Sequence, residues 1–319
     1  MTTTMTNRQS RCLETTWRSS EESSTQSPQS LQAPISPRFH HGLMTKTTRS
    51  VSVTSPEKAH DWQEAGDAWG HSATDWSCLY EHYAIDVIFA IFQRVGISEQ
   101  TSLLDIACGS GLALRHAEAM GATTAGIDAA ASLLEIAQDR NPNSDLRVGS
   151  MFQLPWKDAN FDVVTSINGI WGGCEAALTE ANRVLRPGGT IGISFWGAGT
   201  PNDLRGCFKA FARHAPEQHF GSMKRLNNIA APGAAEEMLS HAGFDVLERG
   251  ARVSTIEWSD SELAWRGLSS IGPAVPALRH TDPDVVKEAV LEAIEPCRDK
   301  RGAYRFRNDH HFVIGRKAG

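Results

Sequence analysis

Nothing in the 319 residues reads as a long apolar run. A membrane-crossing helix needs roughly 18–20 such residues in succession, so no membrane span is expected. The N-terminus also lacks the apolar core of a secretory leader. The six cysteines are scattered, with no C-x-x-C pair. That excludes the patterned spacing of a zinc site or a disulfide framework, and free thiols in a reducing, cytoplasmic setting are the expectation. Like charges do not cluster either. With a formal net charge of −6 and no basic block, the chain has no electrostatic footprint for a phosphate backbone or an anionic membrane, so nucleic acid is not the expected partner.

What is present divides the chain in two. In residues 1–55 about two positions in five are Ser or Thr, prolines are sprinkled through, and apolar residues show no period. Such a segment cannot bury enough surface to offset its ordering entropy and reads as a disordered tail. Arg8, Arg11, Arg18, Arg38 and Arg49 suit a mitochondrial presequence, but Glu14, Glu21 and Glu22 interrupt the acid-poor face it needs. Met44 is a second candidate start. Residues 56–319 read as one domain. Trp62, Trp69, Trp76 and Tyr83 recur every seven residues near one helical face, with Gly66 and Gly70 dividing the stretch into two short helices. Tyr80–Val95 is a stronger helix, ending at Gly96.

An alternation of short apolar strands and helices follows. Strands are expected at Ser102–Ile106, Thr123–Ile127, Leu146–Val148, Phe161–Ile167 and Thr190–Phe195, with helices at Gly111–Met120, Ser132–Arg140 and Glu175–Val184. This order implies parallel β-α-β units and hence an α/β, Rossmann-like doubly wound sheet. Helices at Leu204–His214 and Ala234–Ala242 lead to a long strand at Asp245–Glu257. Two further helices, Ser261–Ser270 and Pro283–Ala293, form an insertion before a last strand at Tyr304–Arg316.

The chemistry concentrates at Leu103-Leu104-Asp105-Ile106-Ala107-Cys108-Gly109-Ser110-Gly111, where an apolar strand enters a glycine turn and then a helix. Glycines there let backbone approach a ligand closely. The third glycine of a dinucleotide fingerprint is absent, because Leu114 stands in its place, which disfavours a nicotinamide-dependent enzyme. Asp128 ends the next strand in Gly126-Ile127-Asp128, where a carboxylate can accept from both ribose hydroxyls. It also suits an N-cap of the following helix. With Phe161-Asp162-Val163-Val164 and Leu185-Arg186-Pro187-Gly188-Gly189, these motifs resemble those of class I S-adenosylmethionine (SAM)-dependent methyltransferases, closest to the ubiquinone/menaquinone-biosynthesis C-methyltransferases. The resemblance spans about residues 101–197.

The resemblance implies SAM as cofactor and methyl transfer to a small, apolar or aromatic organic acceptor; a catalytically silent SAM-binding protein is the alternative. It implies that Asp105, Gly109, Ser110 and Gly111 face the methionine moiety and that Asp128, with Ala129 beside it, holds the ribose. Ser150, Met151 and Phe152 would flank adenine, although the family often has Asp where Ser150 stands. Asn168, after the fourth strand, is also implied to contact the cofactor, and the stretch it opens lacks the prolines of the base-amine enzymes, which disfavours nucleic-acid methylation. No nucleophile is needed, since the cofactor supplies the electrophile. Whether a base acts is open, with His71, His82, His214 and His310 as candidates. Asp309-His310-His311 lies in a strand, where alternate residues point to opposite faces, so no metal is expected. Segments at about 60–95 and 258–303 are candidate lids, with Trp69, Trp76, Tyr80 and Trp171 lining an acceptor pocket; the tryptophans equally suit a purely packing role. The oligomeric state is left open.

Overall fold

Leu103, Leu104 and Ile106 are shielded from solvent on both faces of strand β1 (Ser102–Ile106), as a central parallel strand requires. The computed structural model describes residues 58–199, 201–217 and 227–319. The expected tail and the choice between Met1 and Met44 lie outside the described residues.

Around β1 a seven-stranded sheet forms in the order β3-β2-β1-β4-β5-β7-β6. Its other strands are β2 (Thr123–Asp128), β3 (Asp145–Val148), β4 (Phe161–Ile167), β5 (Leu185–Trp196), β6 (Phe244–Trp258) and β7 (Tyr304–Lys317). The first five run parallel; β7 is antiparallel between β5 and β6. Two buried cores cover the faces. One joins the sheet to α2 (Ile85–Val95), α3 (Leu112–Ala119) and α4 (Ala131–Arg140), and also takes in α6 (Arg205–His214). The other lies under α5 (Glu175–Val184) and α7 (Ala234–His241). Strand order reverses between β1 and β4, and ligands of open α/β sheets bind beyond the carboxyl ends at such a switch point.

Most expected boundaries hold within a residue or two. Strand β5 is an exception, because it begins at Leu185 rather than Thr190. Leu185 pairs with Phe161 before Arg186–Gly189 bulges, and pairing resumes at Val163–Thr190. The N-terminal stretch also differs. Helix α1 (Lys58–Gly70) runs straight through Gly66, which lies against the Ala129 carbonyl so closely that a β-carbon there would come within 2.3 Å. After Gly70 come one α-turn (Ala73–Asp75), a π-turn (Trp76–Tyr80) and a 3-10 turn (Glu81–Ala84) before α2.

The expected insertion is helical: α8 (Ser261–Ser269), a 3-10 turn, α9 (Val275–His280) and α10 (Pro283–Ile294). Asp260 caps α8 by accepting from Leu263 N at 2.9 Å, and Asp282 caps α10 with Pro283 in the first turn. Such caps are worth about 1 kcal/mol each. Among the described residues no helix is long and apolar enough to cross a membrane.

Candidate cofactor and acceptor site

The carboxyl end of β1 passes through Ala107 and Cys108 into a turn where Gly109 (φ 54°) and Gly111 (φ 77°) are both left-handed. An L side chain at Gly111 would be strained, and its β-carbon would lie 2.3 Å from Asn141 Nδ2. Asp128, at the end of β2, accepts from Gly109 N at 2.7 Å with one oxygen and from Ala130 N at 2.8 Å with the other. Asp128 is therefore not the N-cap of α4, which is Ala130; it bonds across the turn just before that helix and ties the glycine turn to β2. Burial raises its pKa, opposed by these backbone donors. Each oxygen retains acceptor capacity, since a carboxylate offers about four lone-pair sites.

Asp105 is 2% exposed and accepts from Thr165 Oγ1 at 2.6 Å. Burial pushes its pKa up to about 7, and the charge of Asp128 adds to the rise. Ser110 is wholly buried and turned away from the crevice, its hydroxyl donating to Glu81. Arg140 completes this group, reaching Glu81 Oε1 at 2.5 Å, Ser110 Oγ at 2.8 Å and Ser77 O at 3.3 Å. The 3-10 turn is thus fastened to the glycine turn by the Ser110 hydroxyl on Glu81 and to the end of α4 by the partly buried Glu81–Arg140 ion pair. On the far side of the crevice, Ser150 Oγ accepts from Phe152 N at 3.2 Å. Met151 packs on the second core, whereas the Phe152 ring is 37% exposed. Ala129 carries α1.

The four aromatic pocket candidates do not all meet. Trp76 covers the glycine turn, with its ring 3.0 Å from where a Gly109 β-carbon would stand, and it meets Trp69 edge-on at 6.4 Å between centroids. Trp69 in turn lies on Gly272 of the insertion. Tyr80 is buried, stacked on Trp258 and edge-on to Tyr83. Trp171 does not join them. Its neighbours Ile170 and Cys174 are drawn into the second core, and it follows them to the α5 side.

Asn168 directly follows β4 in a left-handed conformation (φ 56°), an excursion that costs of order 1 kcal/mol for a residue other than glycine. Its Nδ2 donates to Tyr83 OH at 2.9 Å, and its Oδ1 lies 3.1 Å from His310 Nε2. The Tyr83 ring stands 4.7 Å from Trp196, which stands 4.7 Å from His310. Burial pushes His310 down to about pH 3 and Tyr83 up to about 12, so both are neutral. His310 is 0% exposed with both ring nitrogens engaged, which removes it as a proton acceptor. His71 Nδ1 lies 2.8 Å from the Ala68 carbonyl and its Nε2 3.0 Å from the Ser269 carbonyl, and a neutral ring donates to one of them. His82 is exposed and lines a cleft of about 280 Å³ with Tyr80, Tyr83, Ile256 and Trp258.

His310 and His311 fall on opposite faces of β7. His311 bonds instead to Asp309 and Arg249, and no group of three or more metal-type ligands forms among the described residues. Sequence reasoning missed Glu81, Arg140, Ser194, Trp196 and Ser254. Around Asn168, Tyr83 carried a signal through its seven-residue spacing and His310 as a candidate base.

Residues 104–193 match the family model described as a methyltransferase domain. The malonyl-[acyl-carrier protein] O-methyltransferase of Serratia marcescens is 28% identical over 67% of this chain and 79% of that enzyme. The demethylmenaquinone methyltransferase of Staphylococcus aureus is 33% identical over 32% of this chain, a match that spans 45% of that protein. In fold, phosphoethanolamine N-methyltransferase 2 of Haemonchus contortus, solved with SAM, aligns at a TM-score of 0.52 and 16% identity over 84% of this chain and 61% of its own. The glycine turn, the acidic end of β2, the reversed strand order with an antiparallel β7 and these likenesses agree: the chain carries a SAM-dependent methyltransferase domain of the class I fold.

Proposed function

We propose that the chain methylates a small organic acceptor, with SAM across the ends of β1 and β2 and the acceptor beyond β4 and β5. One observation carries the reading: two left-handed glycines follow β1, and the Asp128 carboxylate is pinned to the turn they make. The residues present suit the group. Asp105 and Asp128 favour a cationic ligand, Asp128 keeps acceptor capacity for hydroxyls, and the buried Nε1 of Trp76 above the turn has no partner among the described residues. Asp105, Gly109, Ser110, Gly111 and Asp128 would hold the methionine and ribose portions, Ser110 through its backbone. Ala129, Ser150, Met151 and Phe152 would border the adenine side, and Asn168 the methyl-transfer side.

When bound, SAM supplies a methyl group on a cationic sulfur. The protein's own residues then orient and desolvate. Trp76, Tyr80 and the insertion behind Trp69 close the crevice to water, and aromatic faces favour a cation. An apolar or aromatic acceptor suits the rings of Tyr83, Trp196 and Trp258. The relatives whose names specify malonyl-[acyl-carrier protein] and demethylmenaquinone support an acceptor other than nucleic acid, as does the net charge of −6.

Calorimetric titration with SAM, followed by transfer of a labelled methyl group into a metabolite pool, tests the reading. Asp128→Ala is expected to weaken SAM binding at least tenfold, since a hydrogen bond to a charged group is worth about 1.5–3 kcal/mol. The same change frees Gly109 N and Ala130 N, so some stability is lost with it. A wild-type protein that does not bind SAM, or an Asp128→Ala variant that binds it unchanged, refutes the reading.

A further inference from the structure

Hydrogen-bond accounting around Asn168 leaves donors unspent. His310 Nδ1 lies 2.8 Å from Ser254 Oγ, and its Nε2 lies 3.1 Å from Asn168 Oδ1 and 3.2 Å from Ser194 Oγ. A neutral imidazole carries one N–H. With that hydrogen on Nδ1, Ser254 becomes the acceptor. Its own hydroxyl hydrogen, 0% exposed, then has no acceptor among the described residues, a costly arrangement. With the hydrogen on Nε2, Ser254 donates to Nδ1 and His310 donates to Asn168 Oδ1. That orientation turns Asn168 Nδ2 to Tyr83, whose oxygen accepts at 2.9 Å. Among the described residues, the phenolic hydrogen of Tyr83 and the second amide hydrogen of Asn168 remain unspent. Both lie at the half-buried Asn168 rather than deep in the core.

We propose that Tyr83 and Asn168 together hold an oxygen atom of the methyl acceptor. The acceptor class is then a small molecule bearing a phenolate, enolate or carboxylate oxygen at or beside the atom that is methylated. Ser254 and His310 are positioning residues, because they set which end of the Asn168 amide faces Tyr83. The inference rests on the reading that this end of the crevice takes the acceptor.

The test uses the full chain with S-adenosylhomocysteine, and 4-nitrophenol, benzoate and 4-nitrotoluene as probes. An oxyanion probe should bind the wild-type complex, and Tyr83→Phe should weaken it tenfold or more while changing 4-nitrotoluene less than twofold. Nitrogen-15 spectra of the wild type should place the His310 hydrogen on Nε2, a readout that needs no variant. The proposal is overturned if neither oxyanion probe binds, if Tyr83→Phe binds them unchanged, or if the hydrogen is on Nδ1. Failure of the wild type to bind S-adenosylhomocysteine overturns the proposed function and this inference with it. Failure at the probe step alone leaves the proposed function standing.

Discussion

Glu81 offers the sharpest perturbation. Its carboxylate is 2% exposed and takes hydrogen bonds from Ser110 and from Arg140, whose side chain is 22% exposed. Burial nevertheless raises its pKa, against the lowering by Ser110 and Arg140. The ion pair therefore contributes little net stability, although removing one partner is expensive. Stranding a buried charge costs about 3–5 kcal/mol, and water access to Arg140 brings the expected loss for Glu81→Ala to about 2–3 kcal/mol. The paired replacement Glu81→Leu/Arg140→Met should stay within about 1 kcal/mol of wild type, because apolar substitutes of similar volume often match such pairs. Cofactor exchange should respond differently. Both variants lose the fastening between the 3-10 turn and the glycine turn, so both should release S-adenosylhomocysteine at least tenfold faster. Urea unfolding followed by circular dichroism reads the first quantity, and stopped-flow tryptophan fluorescence the second. Wild-type stability in Glu81→Ala, or wild-type release in both variants, refutes the reasoning.

Asp105 predicts a pH effect. Its folded pKa of about 7 lies above the ordinary 3.8, so its contribution to stability is present below about pH 4 and lost as pH rises to about 7. The linkage amounts to roughly 4 kcal/mol. Asp105→Asn should remove that slope, seen as a gain over wild type in urea unfolding at pH 8 that vanishes at pH 4; parallel curves would contradict it. Gly66→Ala should lower the melting temperature despite a better helix former, because overpacking against the Ala129 carbonyl costs about 1–3 kcal/mol against about 1 kcal/mol of propensity. A raised melting temperature would mean that α1 is not held there. Trp76→Leu should cost only about 1–2 kcal/mol of stability yet weaken SAM binding in a titration; full affinity with a larger loss of stability would make Trp76 a packing residue alone.

The parallel strands were legible because burial on both faces writes itself as short apolar runs, and glycine and proline mark their ends. Strand β1 and the turn to Gly111 needed no tertiary information. The π-turn at Trp76–Tyr80 did, since its carbonyls are met by distant groups: Trp258 Nε1 donates to Leu79 O, and Arg140 to Ser77 O. Pro187-Gly188-Gly189 hid the start of β5, whose first pair depends on Phe161 across the sheet. Nor does local pattern say that the last strand slides between β5 and β6. Tyr83 and His310, 227 positions apart by number, meet at Asn168 only because it does.

That insertion of β7 bears on how the protein is made. Synthesis proceeds from the N-terminus, and domains tend to fold as they emerge. Here β5 and β6 have no direct pairing, so the partner that joins them is the segment translated after both. Until Tyr304–Lys317 arrives, β5 presents an unpaired edge that includes Ile191 and Ile193, and β6 has no strand partner among the described residues. Exposed edges are templates for mispairing, and late non-local contacts slow folding. A nascent chain would thus carry a formed glycine turn but no closed sheet and no His310 behind Asn168. The half of the crevice assigned to the cofactor can mature first. The half assigned to the acceptor is completed by the final strand, and premature termination within it should yield an aggregation-prone chain rather than a smaller working enzyme.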